Sequence, residues 1–215
     1  AHAFLVKGSA VVVVERDAQA AAGATERLDA AVINSVERGA LDNADVVLER
    51  RLVSLDYGDF AGCDLVIEAV PEIVDLKVEA LTAIEQVLGA EAYLASNTSS
   101  LSIDGLADQL LRPERFIGLH FFNPVPASKL VEIVVGTRTE PDYAAQARGW
   151  VQALGKTPIT VKDSPGFASS RLGLVIGLEA MRMVQEGVGS AQDIDLAMEL
   201  GYKHPAGPLK TSDIV

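Results

Sequence analysis

Cysteine is almost missing from this chain. Cys63 is its single example, so no internal disulfide can form. A lone thiol fits a reducing compartment, and a cytoplasmic location is expected. Basic residues are scarce as well: 18 Lys and Arg stand against 30 Asp and Glu, a net charge of −12. That balance excludes nucleic acid as a partner, because phosphate contacts need clustered cations. It leaves room for an anionic cofactor, which needs only a few local donors. Long apolar runs are absent too, and no membrane span is expected. The nearest candidate, Gly173 to Ala180, is too short and sits among Arg171, Glu179 and Arg182. Repeats and low-complexity tracts do not occur, and no metal site is expected. What is present is a chain of 215 residues, 49 % hydrophobic, with a mean hydropathy of +0.24. It can hold one large domain, or one and a smaller one, with ample core.

The order of elements points to an α/β fold. Ala10 to Val14 is a continuous β-branched run, the pattern of a strand buried on both faces. Ala18 to Arg38 has apolar residues at helical spacing. Strands are expected at Arg51 to Leu55, Asp64 to Val70, Ala92 to Ser96, Phe116 to Phe121, Leu130 to Val135 and Pro158 to Val161. Helices are expected at Asp75 to Leu88 and Asp142 to Leu154, with a helical turn or two within Leu101 to Leu111. Such alternation predicts a doubly wound, mainly parallel sheet. Lys162 to Gly166 is a break, after which the chain reads as helical only, at Arg171 to Glu186 and Ala191 to Leu200. Residues 1–162 are therefore expected to form one domain and 163–215 the start of an all-helical one. Two helices cannot bury their apolar faces alone, so this second part must dock on something. Both ends read as cut. Ala1 to Lys7 looks like the latter half of a helix, with a first strand and glycine-rich turn expected upstream, and Thr211 to Val215 shows no cap or turn.

Near the middle lies Gly118-Leu119-His120-Phe121-Phe122-Asn123-Pro124-Val125-Pro126, followed by Lys129-Leu130-Val131-Glu132. Imidazole titrates nearest working pH, which makes a positioned histidine the default general base. If the run carrying His120 pairs with the run carrying Glu132, the carboxylate can reach the ring and fix its tautomer. A lone histidine among apolar residues is otherwise structural, and Glu132 alone could be an edge-strand surface acid.

Together with this segment, Val11-Val12-Val13-Val14-Glu15, Asp64-Leu65-Val66-Ile67-Glu68-Ala69-Val70-Pro71-Glu72, Ser96-Asn97-Thr98-Ser99-Ser100, Asp163-Ser164-Pro165-Gly166-Phe167 and Pro205-Ala206-Gly207-Pro208 resemble the 3-hydroxyacyl-CoA dehydrogenases. The order and spacing run across most of that family's nucleotide-binding domain and the start of its helical domain. The resemblance implies a Rossmann-type sheet and an enzyme that oxidises the 3-hydroxyl of an acyl-CoA with NAD, or reduces the 3-ketone with NADH. It implies His120 as the catalytic base, Glu132 as its orienting carboxylate and Ser99 as a hydroxyl bonded to the reacting oxygen. Toward the cofactor it implies Glu15 on the adenosine ribose, Glu72 and Lys77, and Asn97 near the nicotinamide. An acid at Glu15 repels a 2′-phosphate and favours NAD over NADP, although the neighbouring Arg16 works against that preference.

Toward the substrate, the resemblance implies Ser99, Ser170 and, facing a coenzyme A phosphate, Arg38. Its helical domain implies a homodimer. Each residue also has an ordinary reading: Ser99 in a helix-capping cluster, with Ser100 or Ser102 able to cap instead, Glu15 as a solvated strand end, Lys77 as an exposed helix residue, and Arg38 in an i,i+4 ion pair. His2 and His204 read as surface residues and Cys63 as a small hydrophobe. The chain departs from the family at Ser170, where many members carry asparagine, and in lacking the glycine-rich turn. Two other functions stay open: a non-catalytic, structural or NAD-binding relative of the same fold, and a dehydrogenase of free hydroxy acids.

Overall fold

The computed structural model describes residues 1–214, which fall into a unit Ala1–Asp163 and a second beginning at Ser164. In the first, α1 (His2–Leu5) leads into β1 (Val11–Val14). Helix α2 (Ala18–Glu37) starts where the Asp17 carboxylate accepts a hydrogen bond from the Ala20 amide at 2.8 Å, an N-cap. Its buried stripe is Ala24, Leu28 and Val32, spaced by four residues. It ends at Gly39, whose φ of +70° suits glycine. The short helix α3 (Ala44–Leu48), capped by Asn43, has no counterpart in the sequence reading and precedes β2 (Arg51–Ser54). Then follow β3 (Leu65–Glu68), α4 (Val74–Val87), β4 (Tyr93–Ser96), α5 (Ile103–Ala107), β5 (Phe116–Phe121), β6 (Leu130–Val135), α6 (Pro141–Ala153) and β7 (Thr157–Lys162).

The strands form two sheets. One is β1-β2, parallel; the other has the order β3-β4-β5-β6-β7. In the larger, β3, β4 and β5 run parallel, β6 turns antiparallel to β5, and β7 runs parallel to β6. The sheet is thus mainly parallel with one reversal. That reversal follows from the connection: residues 122–129 join β5 to β6 without a crossover helix, which a parallel neighbour would require.

The expectation that the valine run of β1 is buried on both faces is corrected. All four residues are half-buried, since β2 is its one strand partner among the described residues and its apolar cover is a small cluster of Leu5, Leu28, Val32 and Val47. His2, read as a surface residue, is also half-buried, with Nε2 3.0 Å from Ser35 Oγ.

The main core lies on the larger sheet. Ile117 and Leu119 of β5 and Val131 and Ile133 of β6 alternate onto one face and meet Tyr143, Ala147 and Val151 of α6. The buried Tyr143 hydroxyl donates to the Leu94 carbonyl at 2.9 Å, so this polar atom is satisfied. On the opposite face, Gly118 admits a close approach: a Cβ there would stand 2.8 Å from Val134 Cβ and 2.9 Å from Ile103 Cδ1. His120 and Glu132 share that second face.

The second unit is helical, with α7 (Ser169–Gln185), α8 (Ala191–Leu196) running into a π-helical turn (Ala197–Gly201), and α9 (Pro208–Ser212). The sequence reading saw no structure near the end of the chain. Yet the Asp195 carboxylate accepts from the Leu209 and Lys210 amides at 2.8 and 3.2 Å, supplying α9 with a cap from another helix. A Cβ at Gly207 would lie 2.2 Å from Asp195 Cβ, so this approach needs glycine. On α7, Leu172, Leu174, Val175, Leu178, Met181 and Val184 are exposed.

Candidate active site

The register of β5 against β6 sets His120 directly opposite Glu132. Nδ1 of the ring and Oε2 of the carboxylate are 2.8 Å apart, and the side chains are 6 % and 0 % exposed. A carboxylate only accepts, so Nδ1 carries the hydrogen and Nε2 becomes the basic position. Phe122 packs on the imidazole with ring centroids 4.5 Å apart. A buried base with a fixed tautomer and an aromatic wall can take and return a proton at one defined place.

The turn after β4 reaches the same end of the sheet. Ser96 is in register with Gly118, and Asn97 Oδ1 accepts from the Phe121 amide, one residue past His120, at 2.9 Å. That bond ties the Ser99 turn to the strand carrying the base. Ser102 caps α5 through the Gly105 amide at 3.0 Å, while Thr98 Oγ1 accepts from the Leu101 amide at 2.9 Å. Among the described residues no hydrogen bond from the Ser99 hydroxyl is found, so capping does not consume it.

Glu72 gathers this turn. Its Oε1 accepts from Thr98 Oγ1 at 2.5 Å, from the Ser99 and Ser100 amides at 3.0 and 3.1 Å, and from Ser100 Oγ at 3.1 Å. Burial by itself raises this carboxyl, but the hydrogen bonds from Thr98 and Lys77 and from the Ser99 amide outweigh it and bring the pKa down to about 2.

Lys77 is not an exposed helix residue. It is 1 % exposed, and its ammonium donates to Glu68 Oε1 at 2.9 Å and the Val70 carbonyl at 3.1 Å and pairs with Glu72 Oε2 at 3.2 Å. An incoming cofactor oxygen would have to share or displace these partners. The sequence held the signal: Lys77 precedes Ala80, Leu81 and Ile84 by three, four and seven positions, which places it on the buried stripe of α4. Glu68, which no site prediction included, lies at the heart of this cluster. Its signal was an acid closing an otherwise apolar strand.

Glu15 follows β1 on the smaller sheet. Its side chain is 29 % exposed, and its nearest cation is Arg27 at 3.9 Å. A half-open carboxylate at the C-terminal end of a parallel strand fits the hydroxyls of an adenosine ribose. Arg16 is paired with Asp17 at 2.9 Å. Arg38 is exposed at the C-cap of α2 and, among the described residues, joins no ion pair. Ser170 lies in the first turn of α7, in the second unit. The structure thus brings Ser99, His120, Glu132, Glu72, Lys77 and Asn97 to one end of the larger sheet. Glu15 and Arg38 lie on separate elements. No group of His, Cys, Asp and Glu that could hold a metal occurs among the described residues, and no helix is long and apolar enough to cross a membrane.

Comparison with known proteins accords with this geometry. Residues 1–164 match the 3-hydroxyacyl-CoA dehydrogenase NAD binding domain, and residues 166–215 match the C-terminal domain of the same family. A probable 3-hydroxybutyryl-CoA dehydrogenase of Deinococcus radiodurans is 42 % identical over 180 residues, which cover 83 % of this chain and 65 % of that protein. The mitochondrial hydroxyacyl-coenzyme A dehydrogenase of Rattus norvegicus is 35 % identical over 216 residues, 97 % of this chain and 69 % of that one. The crystal structure of (S)-3-hydroxybutyryl-CoA dehydrogenase from Ralstonia eutropha superposes with a TM-score of 0.94 at 39 % identity, covering 99 % of this chain and 76 % of the other. The chain spans about two thirds of these relatives' length. It belongs to the 3-hydroxyacyl-CoA dehydrogenase family, and its first unit is the NAD-binding domain of that family.

Proposed function

We propose that this protein interconverts an L-3-hydroxyacyl-CoA and the corresponding 3-ketoacyl-CoA. The observation that carries this reading is the buried His120–Glu132 pair, 2.8 Å apart, beside a turn whose Ser99 hydroxyl is not taken up by capping. NAD, when bound, accepts the hydride that leaves C3 of the substrate. His120 takes the proton of the 3-hydroxyl at Nε2 and, in reverse, returns it to the ketone oxygen. Glu132 holds the ring in the required tautomer and stabilises the imidazolium that forms. The Ser99 hydroxyl donates to the reacting oxygen and so fixes its position.

Glu15 receives the ribose hydroxyls and disfavours a 2′-phosphate. Arg16, the residue that would favour one, is engaged by Asp17. Asn97 borders the nicotinamide side, and Glu72 and Lys77 complete the wall behind it. Ser170 and Arg38 serve the acyl-CoA, with Ser170 offering one hydrogen bond where an asparagine would offer a donor and an acceptor. Residues 1–162 form the cofactor domain and 163–215 begin the substrate and dimerisation domain. The exposed apolar residues of α7 support a homodimer formed through that domain. The lone cysteine supports a cytoplasmic location, and the proposed reaction suits β-oxidation or another route of acyl-CoA metabolism.

The test is NADH oxidation driven by acetoacetyl-CoA, with a His120→Ala variant beside the unmodified protein. The expected loss in the variant is about 10²- to 10⁴-fold in kcat, the range for a general acid–base group. Equal turnover in both would remove His120 from the chemistry. No turnover in either, with NAD still bound, would favour a non-catalytic relative of the family.

A further inference from the structure

Behind the proposed chemistry, a line of polar groups runs from the interior of the sheet to the turn that carries Ser99. It begins at Glu68, the last residue of β3, whose side chain is 0 % exposed. Both carboxylate oxygens are filled. Oε1 accepts from the Val70 amide at 2.6 Å and from Lys77 Nζ at 2.9 Å, and Oε2 accepts from Ser96 Oγ at 2.5 Å. Burying a carboxylate and an ammonium costs desolvation that their attraction rarely more than repays, and apolar residues of the same volume would serve the core as well. Core stability alone therefore does not account for this pair.

Two routes lead from Glu68 to the turn. Along the first, Lys77 passes from Glu68 to Glu72 Oε2 at 3.2 Å, and Glu72 Oε1 holds Thr98 Oγ1 and the amides of Ser99 and Ser100. Along the second, Ser96 Oγ is held by Glu68 and itself accepts from the Thr98 amide at 3.2 Å. The two routes converge on Thr98, one at its amide and one at its hydroxyl, and Ser99 is the next residue.

We infer that Glu68 is a positioning residue for the reaction: acting through Lys77–Glu72 and through Ser96, it fixes the turn that presents the Ser99 hydroxyl to the reacting oxygen. The inference rests on the dehydrogenase reading above, which gives Ser99 its role. Removing the Glu68 charge leaves Lys77 with Glu72 as its one remaining carboxylate and weakens the hold on Ser96 Oγ. The hydroxyl of Ser99 then loses its fixed place, and displacements near 1 Å at a reacting group cost up to about 10²-fold in rate.

The experiment uses the protein expressed from its whole reading frame and compares four forms: unmodified, Glu68→Gln, Ser99→Ala and the double variant. Glutamine keeps the shape and the bond to Ser96 within reach while deleting the charge. The expected result is a fall in kcat of about 10- to 100-fold for Glu68→Gln, with KM for NADH changed by less than about threefold. In the Ser99→Ala background the same substitution costs no more than about twofold, because the hydroxyl it positions is gone. A further variant, Glu68→Gln with Lys77→Met, neutralises both charges. It is expected to melt near the unmodified protein and still to show the low kcat.

Losses that multiply in the double variant would overturn the inference. So would a kcat that returns together with the melting temperature in the neutral pair, which would make Glu68 purely structural. An unmodified protein without turnover would instead overturn the dehydrogenase reading, and this role with it.

Discussion

Strands β1 and β6 invert the usual expectation about which sequence goes inside. Val11–Val14 is wholly aliphatic, yet each of its residues is only half-buried. Leu130–Val135 carries a glutamate in its middle, yet four of its six positions are buried and Glu132 itself has 0 % exposure. The difference lies in the layers around each strand. β6 has a strand on both edges and α6 across one face, whereas β1 has β2 and a small helical cluster. Burial is conferred by neighbours, and a strand's composition only makes it tolerable. A carboxylate is tolerated inside when the register delivers an imidazole to it.

The two sheets are expected to divide the work in the same way, and exchanging a carboxylate for its amide on each tests that division most strongly. Glu132→Gln keeps the volume beside His120 but deletes the charge that opposes imidazolium. Its expected effect is a loss of about 10²- to 10⁴-fold in kcat, the size seen when a buried carboxylate–imidazole pair is neutralised. Glu15→Gln, on the smaller sheet, is expected to leave kcat unchanged and raise KM for NADH about tenfold, the value of one charge-assisted hydrogen bond. Steady-state kinetics with acetoacetyl-CoA reads both. A kcat effect at Glu15 as large as that at Glu132 would break the comparison.

Truncations in the two sheets form the next probe. Ile133 is fully buried against α6, and Ile133→Ala is expected to cost about 2–5 kcal/mol, the transfer loss plus the cavity. Val13→Ala on β1 removes two methyl groups that are already partly in water, and about 1 kcal/mol or less is expected. Urea unfolding, with midpoint and slope read together, distinguishes them. Equal costs would mean that the smaller sheet is better covered than its half-buried valines suggest.

The elements of the larger sheet are legible because they rest on local pattern, which also marks His120 and Glu132 as candidates, while the resemblance rather than their spacing implies their roles. Apolar runs of six residues read as strands, and an imidazole and a carboxylate twelve positions apart can face each other once those runs pair. What it did not show depends on distant partners. The cap of α9 comes from Asp195, fourteen residues before Leu209. The partial exposure of β1 depends on what lies beside it. Apart from the resemblance, which implies a cofactor contact, Lys77 reads as an exposed helix residue because lysine usually is one, although its place on the stripe of Ala80, Leu81 and Ile84 argues the reverse. Glu68 escaped notice because a strand-closing acid is ordinary, and only the geometry shows that both its oxygens are spoken for.

Glu72 sharpens the comparison by defying its simplest form. With a side chain 38 % exposed it resembles Glu15 in openness, yet it belongs to the turn that serves the larger sheet. Partners rather than depth set its behaviour: burial pushes its pKa upward, and the Thr98, Lys77 and Ser99 hydrogen bonds overcome that push and lower it from 4.5 to about 2. A carboxyl depressed in the folded state contributes stability that is fully present above the unfolded value near 4.5 and is lost as pH falls through about 2. Exposure screens much of this, so the contribution is about 1 kcal/mol, or roughly 3 °C in melting temperature. Glu72→Gln lacks the ionisation and therefore this acid-dependent part. The unmodified protein is expected to melt above the variant at pH 7, with the gap narrowing steadily between pH 4.5 and pH 2. A gap independent of pH would mean that the turn is held by the shape of the side chain at Glu72 and not by its charge, and the line of contacts from Lys77 to Ser99 would lose its electrostatic basis.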